Sequence, residues 1–468
     1  MCRHESGDLR YKDRMSIRTS LSDKRVSKAL AKIAQAQERV AARYPGDSGA
    51  RQPVHTVYGG AHIFSAETAR KLGDVALKSL DAYADNPETF AEVIGVPRSL
   101  ADKVYERVLE KLKREPVEDF RIDFEDGYGN RSDDEEDGHA ASAAVEVGRG
   151  LDAGVLPPFI GIRIKTFSRE LAPRSIRTLD IFLSTLLETT GGRLPPNFVV
   201  TLPKITSRTD VETLVYLFEQ LEDKLELPAG SLKMEIMVET TQSILDRSGR
   251  VILPRLLDSA AGRMVGAHFG TYDYTAGYDI TAAHQRMGHP ACDFAKHMMK
   301  IAFAGTGIAL SDGATNIMPV GPHRGQLSEA QKAENRNAVH AAWRLHTEDV
   351  RRSLITGFYQ GWDLHPAQLP TRYGAVFGFF LEGLSAASER LKNFIDKAAQ
   401  ATLVGDVFDD AATGQGLLNF FLRAINSGAI SEEEAAPRCG LTLEELRTRS
   451  FVAILKGRSA QAPSAREP

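Results

Sequence analysis

Only three cysteines, Cys2, Cys292 and Cys439, occur in 468 residues, and none has a cysteine or paired histidine at metal-ligating spacing. A disulfide framework and a thiolate metal cluster are therefore excluded, and a reducing compartment is the natural expectation. Long apolar runs are missing as well. No stretch reaches membrane-spanning length, and "MCRHESGDLRYKDR" at the start lacks the apolar segment of a secretory signal. The formal charge is only −4, so neither nucleic acid nor an anionic membrane is an expected partner. No glycine-rich dinucleotide loop follows a strand candidate. These absences point to a cytoplasmic protein acting on small molecules, and hydrophobic residues, at 42%, suffice for a large core.

Residues 1–52 are polar and basic, with one helix expected in "VSKALAKIAQAQERVAARY". They form an N-terminal arm ending in the linker "YPGDSGARQP", where Pro and Gly stop the helix. Residues 53–375 alternate short apolar runs with helical stretches. The strand candidates are "HTVYGGAHIF", "FRIDFED", "FIGIRIK", "FVVTLPK", "MEIMVET", "MVGAHFGTYD", "TNIMPVG" and "GWDLHP". Near-continuous apolar strands imply parallel pairing with both faces buried. After "FVVTLPK", Thr209 and Glu212 predict a capping box, and Val211, Leu214, Val215, Phe218 and Leu221 share one helix face. Asp126 to Arg163 is 37 residues, Lys204 to Glu239 is 35 and Glu239 to Asp273 is 34, one strand–helix unit each time. Eight such units predict an α/β fold of the (β/α)8 TIM-barrel type. Residues 376–455 are expected to form a mostly helical region over the barrel mouth, and 456–468 a disordered tail.

Polar residues gather where the strand candidates end: Glu125 and Asp126, Arg163, Lys204, Glu239, Asp273, and Asp363 with His365. Barrel active sites are built at that rim. Glu239 and Asp273 should cap neighbouring strands about 5 Å apart, close enough for two carboxylates to share one cation. Two carboxylates with water and substrate oxygens suit Mg2+, with Mn2+ the alternative. The plainer reading makes Glu239 a helix cap and Asp273 a turn residue. Arg163, alone in an apolar run, must be paired, either with a structural carboxylate or with an anionic ligand. Lys204 either pairs with Glu125 or serves as a Schiff-base lysine. His365, before Pro366, is expected to make a structural hydrogen bond. The acids "DDEED" at 133–137 are expected to be a solvated loop.

"DFED", "GIRIK", "LPKITSRTDVE", "MVETTQSILD", "GTYDY" and "GFYQGWDLHPAQ" follow one another as in the citrate lyase β-subunit-like (HpcH/HpaI aldolase) family, of the malate synthase superfamily. The chain resembles that family over residues 55–375, by collinear order rather than by any single motif. Where malate synthases carry an Arg–Trp pair, this chain has Thr271 and Tyr272. "VFDDAATGQG" is similar to the "DAAT" segment of malate synthase, whose Asp takes a proton from an acyl-CoA methyl group. The resemblance implies Mg2+ on Glu239 and Asp273, and Arg163 against a 2-oxo acid. Glu125, Asp126, Lys204 and His365 would surround the substrate, with Asp410 as base and Asp409 as the fallback. The implied activity is carbon–carbon bond cleavage or condensation on a glyoxylate- or pyruvate-type acid, through an enolate, with a CoA thioester as co-substrate. Two alternatives stand beside it: a CoA-independent aldolase of hydroxy-oxo acids, and a ligand-binding barrel without catalysis. A homo-oligomer is compatible with all three.

Overall fold

The computed structural model describes residues 19–46, 49–404 and 411–461. Eight parallel strands close into a barrel in sequence order: β1 (His55–Gly60), β2 (Asp119–Asp123), β3 (Phe159–Arg163), β4 (Phe198–Leu202), β5 (Lys233–Val238), β6 (Met264–Phe269), β7 (Ala309–Ala314) and β8 (Gln360–Asp363). Residues such as Phe120, Ile122, Ile160, Val200 and Ile236 point outward and bury against the surrounding helices.

The barrel interior is unusually polar. On β2, Asp119, Arg121 and Asp123 occupy the alternate positions facing inward. Arg121 donates from Nε to Glu235 Oε1 at 2.7 Å and from Nη2 to Oε2 at 2.8 Å, and pairs with Asp119 on its own strand. His268 lies 3.1 Å from Glu235 and 3.0 Å from the Tyr58 hydroxyl. Above this layer Tyr58, Met237, Ala314 and Trp362 form a small apolar floor. Buried charge persists here because each ion is paired and hydrogen-bonded.

Seven strands lie where the sequence places them, but β7 is "ALSDGA" rather than "TNIMPVG". Its Ser311 and Asp312 suggest a turn, yet both are fully buried. Asp312 is held by Lys296 at 3.1 Å and by the Ser353 hydroxyl at 2.6 Å. The helix after β4 is Arg208–Lys224, and its capping box is Ser207 with Asp210, two residues earlier than Thr209 and Glu212. "DDEED" is not a loop. It is the first turn of the helix Asp133–Ala153, capped by Ser132 with Glu135, whose acids complement the exposed N–H groups there. Glu136 in that turn is buried against Lys165 at 2.7 Å.

The expected helix in the arm is Asp23–Arg43, with every residue exposed and Arg43 paired to Asp258 at 2.5 Å. No boundary falls at 375, because the helix Leu369–Val404 runs straight through it. The C-terminal helices do not cover the mouth as expected. In the helix Ala411–Asn426, Phe420 packs on Phe380, and Asn426 and Arg423 hydrogen-bond Gln52, just before β1. This region therefore packs at the end where the strands begin. The tail expected from 456 starts inside the helix Phe451–Gln461. No helix among the described residues is long and apolar enough to cross a membrane.

Candidate active site

At the end where the strands finish, β2 and β3 pair in register so that Asp123 lies beside Arg163. The guanidinium makes a two-pronged contact, Nε to Asp123 Oδ1 at 2.7 Å and Nη2 to Oδ2 at 2.6 Å. Its third nitrogen, Nη1, lies 3.1 Å from Glu125 Oε2 and 3.7 Å from Asp126 Oδ2. The group rests 4.8 Å above the Tyr58 ring. The structural-carboxylate reading of Arg163 is met: Asp123 locks it in place, and its outer edge faces Glu125 and Asp126 at the rim. Asp123 also accepts the backbone N–H groups of Glu125 at 3.0 Å and Gly127 at 2.7 Å, which shapes the turn leaving β2.

Lys204 follows β4 and takes a left-handed backbone, φ 49°. Its N–H donates to Glu239 Oε1 at 2.7 Å. Its ammonium bonds Glu125, lies 3.1 Å from Asp126 and reaches within 3.5 Å of Asp273. Burial opposes that charge, but Glu125, Asp126 and Asp273 outweigh it and raise the lysine's pKa. The pairing with Glu125 is present, and it favours the charged amine rather than the neutral one that a Schiff-base lysine needs.

Glu239 follows β5 and is almost fully buried, while Asp273, in the first turn of the short helix Thr271–Gly277, is 40% exposed at its side chain. Among the described residues no cation forms a salt bridge with Glu239. Burial, then the charge of Asp273, pushes its carboxyl up to about 8. Burial and repulsion from Asp126 likewise push Glu125 up to about 6, against the pull of Arg163 and Lys204. Asp126 moves the other way: burial would raise it, but Arg163 and Lys204 hold it below the usual range. Among the described residues, Asp123, Glu125, Asp126, Glu239 and Asp273 pair with no cation besides Arg163 and Lys204, an excess of three negative charges when all are ionised. Such a carboxylate-rich cluster suits a hard divalent cation. Among the described residues no three His, Cys, Asp or Glu side chains are arranged as a ready-made metal cluster. Glu239 and Asp273 are the pair that could hold a cation, with most positions left to water or substrate.

Sequence reasoning missed several contributors. Asp123 is legible afterwards, because a lone arginine at a strand end needs a partner in the adjacent register position. Tyr58, Met237 and Trp362 gave no local signal, since only closure of the barrel brings β1, β5 and β8 together beneath Arg163. Gly270 was also missed: a Cβ there would lie 2.2 Å from Glu239 Oε2. Thr271, beside Asp273, has a buried hydroxyl without a hydrogen-bond partner in the structure.

The remaining expected residues fall elsewhere. Asp363 turns away from the rim and joins the barrel to its helices, accepting from Arg372 at 2.9 Å and contacting His346 at 2.9 Å and His55 at 2.8 Å. His365 caps a short helical turn, its Nδ1 accepting from Ala367 N at 3.1 Å, in agreement with a structural hydrogen bond. Asp410 and Asp409 lie outside the described residues.

Fold and rim together define a closed parallel (β/α)8 barrel with an acid-rich cluster at the C-terminal ends of its strands. The chain belongs to the family described as "Domain of unknown function (DUF6986)", whose model matches residues 33–454. No curated protein matches in sequence. Among solved structures it is similar to the Haloferax volcanii malate synthase magnesium/glyoxylate complex, at 14% identity and a TM-score of 0.43, covering 88% of this chain and 98% of that one. The pyruvate/acetyl-CoA ternary complex of the same enzyme gives 12% identity and a TM-score of 0.41, covering 88% and 98%. An HpcH/HpaI aldolase/citrate lyase family protein from Burkholderia cenocepacia gives 13% and 0.38, covering 71% of this chain and 93% of that one. These values are too low to transfer a substrate or a residue's role.

Proposed function

We propose that the chain is a divalent-cation-dependent carbon–carbon lyase or condensing enzyme acting on a small 2-oxo acid of the glyoxylate or pyruvate type. The observation that carries this reading is the buried Glu239 beside Asp273, in a pocket whose carboxylates outnumber its cations, with Arg163 held rigidly next to them. Glu239 and Asp273 would hold Mg2+ or Mn2+, which when bound polarises a substrate carbonyl. Arg163, fixed by Asp123 and the Tyr58 ring, would stabilise negative charge developing on that oxygen, as an enolate from a pyruvate-type acid or an alkoxide from glyoxylate. Because Asp123 takes two of its donors, little reorganisation accompanies the reaction. Lys204 would keep Glu125 and Asp126 ionised. His365 would act only by shaping the loop after β8.

Asp410 is the proposed base, with Asp409 as the fallback. The described C-terminal helices pack at the opposite end of the barrel, which favours asking whether a base from that region serves its own chain or another copy. The same observation gives weight to a second reading, a CoA-independent aldolase of hydroxy-oxo acids, since no described helix of that region covers the mouth.

The test is product analysis with Mg2+. One arm supplies glyoxylate and acetyl-CoA; the other supplies a panel of hydroxy-oxo acids without CoA. Product from the first arm alone supports condensation with an acyl-CoA, and turnover without CoA supports the aldolase. Failure of both arms, together with an E239Q variant that binds Mg2+ like the parent, would reject the site as drawn. Mixing inactive D410N with inactive E239Q tests the base: recovered activity means it acts across copies.

A further inference from the structure

The largest cavity among the described residues is not at the acid-rich rim. It opens at the other end of the barrel, with a volume of about 840 Å³, and its wall takes in the first residue of every strand from β2 to β8. This lies within the ~300–1,000 Å³ typical of small-molecule pockets. Lys300, in the last turn of the helix Pro290–Phe303, stands on that wall beside the apolar surfaces of Phe303, Ile308 and Tyr359.

Lysines drawn out of solvent elsewhere in this chain meet a carboxylate. Lys111 meets Glu115 at 2.6 Å, Lys165 meets Glu136 at 2.7 Å, Lys296 meets Asp312 at 3.1 Å, and Lys204 meets Glu125. Lys300 is half-buried, yet among the described residues no carboxylate pairs with it. Its nitrogen donates instead to the Gly357 carbonyl and lies 4.9 Å above the Phe358 ring. Lys233, on the same wall, bonds only the Gly262 carbonyl, at 3.3 Å, but at an exposed position. Burial without a counter-charge disfavours the ammonium, and the charge of Arg423 adds to this, which lowers the Lys300 amine to about 8. A neutral amine facing a cavity is a nucleophile towards carbonyl carbon. Its surroundings suit the product as well. A protonated imine keeps one N–H for the Gly357 oxygen and a positive charge for the Phe358 ring.

We propose that Lys300 is a covalent capture site for an aldehyde, which its amine holds as a reversible imine while the aldehyde's apolar body lies in the cavity against Phe303 and Tyr359. The nitrogen lone pair adds to the carbonyl carbon, and both amine hydrogens pass to the carbonyl oxygen. That oxygen leaves as water while the carbon–nitrogen double bond forms, so neither oxidant nor reductant is consumed. The site is separate from the catalytic rim and does not depend on the reaction assigned there.

The experiment treats the full chain with benzaldehyde or with formaldehyde near neutral pH, traps imines with borohydride, and maps the label on every lysine by peptide mass. With benzaldehyde, Lys300 should be labelled at least tenfold faster than Lys233 and the surface lysines. Its rate should saturate below about 10 mM aldehyde, as binding before reaction requires. The preference should vanish when the chain is unfolded in urea. Formaldehyde has no apolar body, so it should favour Lys300 less than benzaldehyde does. Label spread evenly over the lysines, a preference that survives in urea, a rate that does not saturate, or equal selectivity for the two aldehydes would each overturn the proposal.

Discussion

The backbone N–H of Lys204 donates to Glu239 Oε1 at 2.7 Å while the ammonium of the same residue reaches within 3.5 Å of Asp273. One residue thus links both proposed cation ligands, in place of a stronger positive charge. A left-handed backbone, φ 49°, accompanies this arrangement and costs roughly 1 kcal/mol in a residue with a side chain. K204G keeps the N–H, relieves that strain and removes the ammonium. Its melting temperature should therefore rise more on adding MgCl2 than the parent's does, measured by scanning fluorimetry. Equal rises would mean that Lys204 and the cation do not compensate one another.

The pairing of Arg163 with Asp123 separates charge from geometry. R163M leaves Asp123 buried without its partner, and should cost about 3–5 kcal/mol in urea unfolding. R163K restores a charge but not the two-pronged contact, so stability should recover in part. Turnover should remain depressed by about a hundredfold if Arg163 stabilises the developing enolate oxygen. R163K with parental turnover would leave Arg163 a purely structural role.

Gly270 offers a test that changes no charge. In G270A the new Cβ would fall 2.2 Å from Glu239 Oε2, so the carboxylate must move. G266A on β6 is the control, since its Cβ would meet Glu235 only at ordinary contact, 3.4 Å. Calorimetry should show Mg2+ affinity falling at least tenfold in G270A and unchanged in G266A, which corresponds to about 1.4 kcal/mol. Parental affinity in G270A would remove Glu239 from the cation site.

These residues also show where the sequence was legible. The barrel could be read from apolar strands recurring one strand–helix unit apart, a periodic signal that needs no tertiary knowledge. Glu239, Asp273, Arg163 and Lys204 could be found because each lies at or just beyond the end of such a strand. β7 could not, because its Ser311 faces a polar interior and its Asp312 is satisfied by Lys296 and Ser353, residues distant along the chain. The inward-facing Asp119, Arg121, Glu235 and His268 were hidden for a similar reason: apart from the Asp119–Arg121 pair, their partners lie on other strands. "SDDE" at 132–135 was readable as a capping box, but the acid run following it suggested solvent instead. Asp363 ended a strand like the others, yet three basic side chains from neighbouring elements draw it outward.

Lys300 provides a pH-dependent prediction. Its native pKa of about 8 lies below the ordinary 10.5, chiefly because burial disfavours the ammonium. The native state consequently binds this proton less tightly than the unfolded chain does. Protonation thus favours unfolding: the penalty is full below about pH 8 and disappears as pH rises through 10.5. K300M removes the charge while retaining a flexible side chain. Every tenfold weakening of proton binding is worth ~1.4 kcal/mol before the loss of favourable contacts is deducted. Those contacts are the bond to the Gly357 carbonyl and the approach to the Phe358 ring. K300M should accordingly be ~1–2 kcal/mol more stable than the parent near pH 7, and the gap should close between pH 8 and 10. Urea unfolding at several pH values measures it directly. An advantage that does not vary with pH would mean that methionine packs better, and that the charge of Lys300 is not what destabilises this end of the barrel.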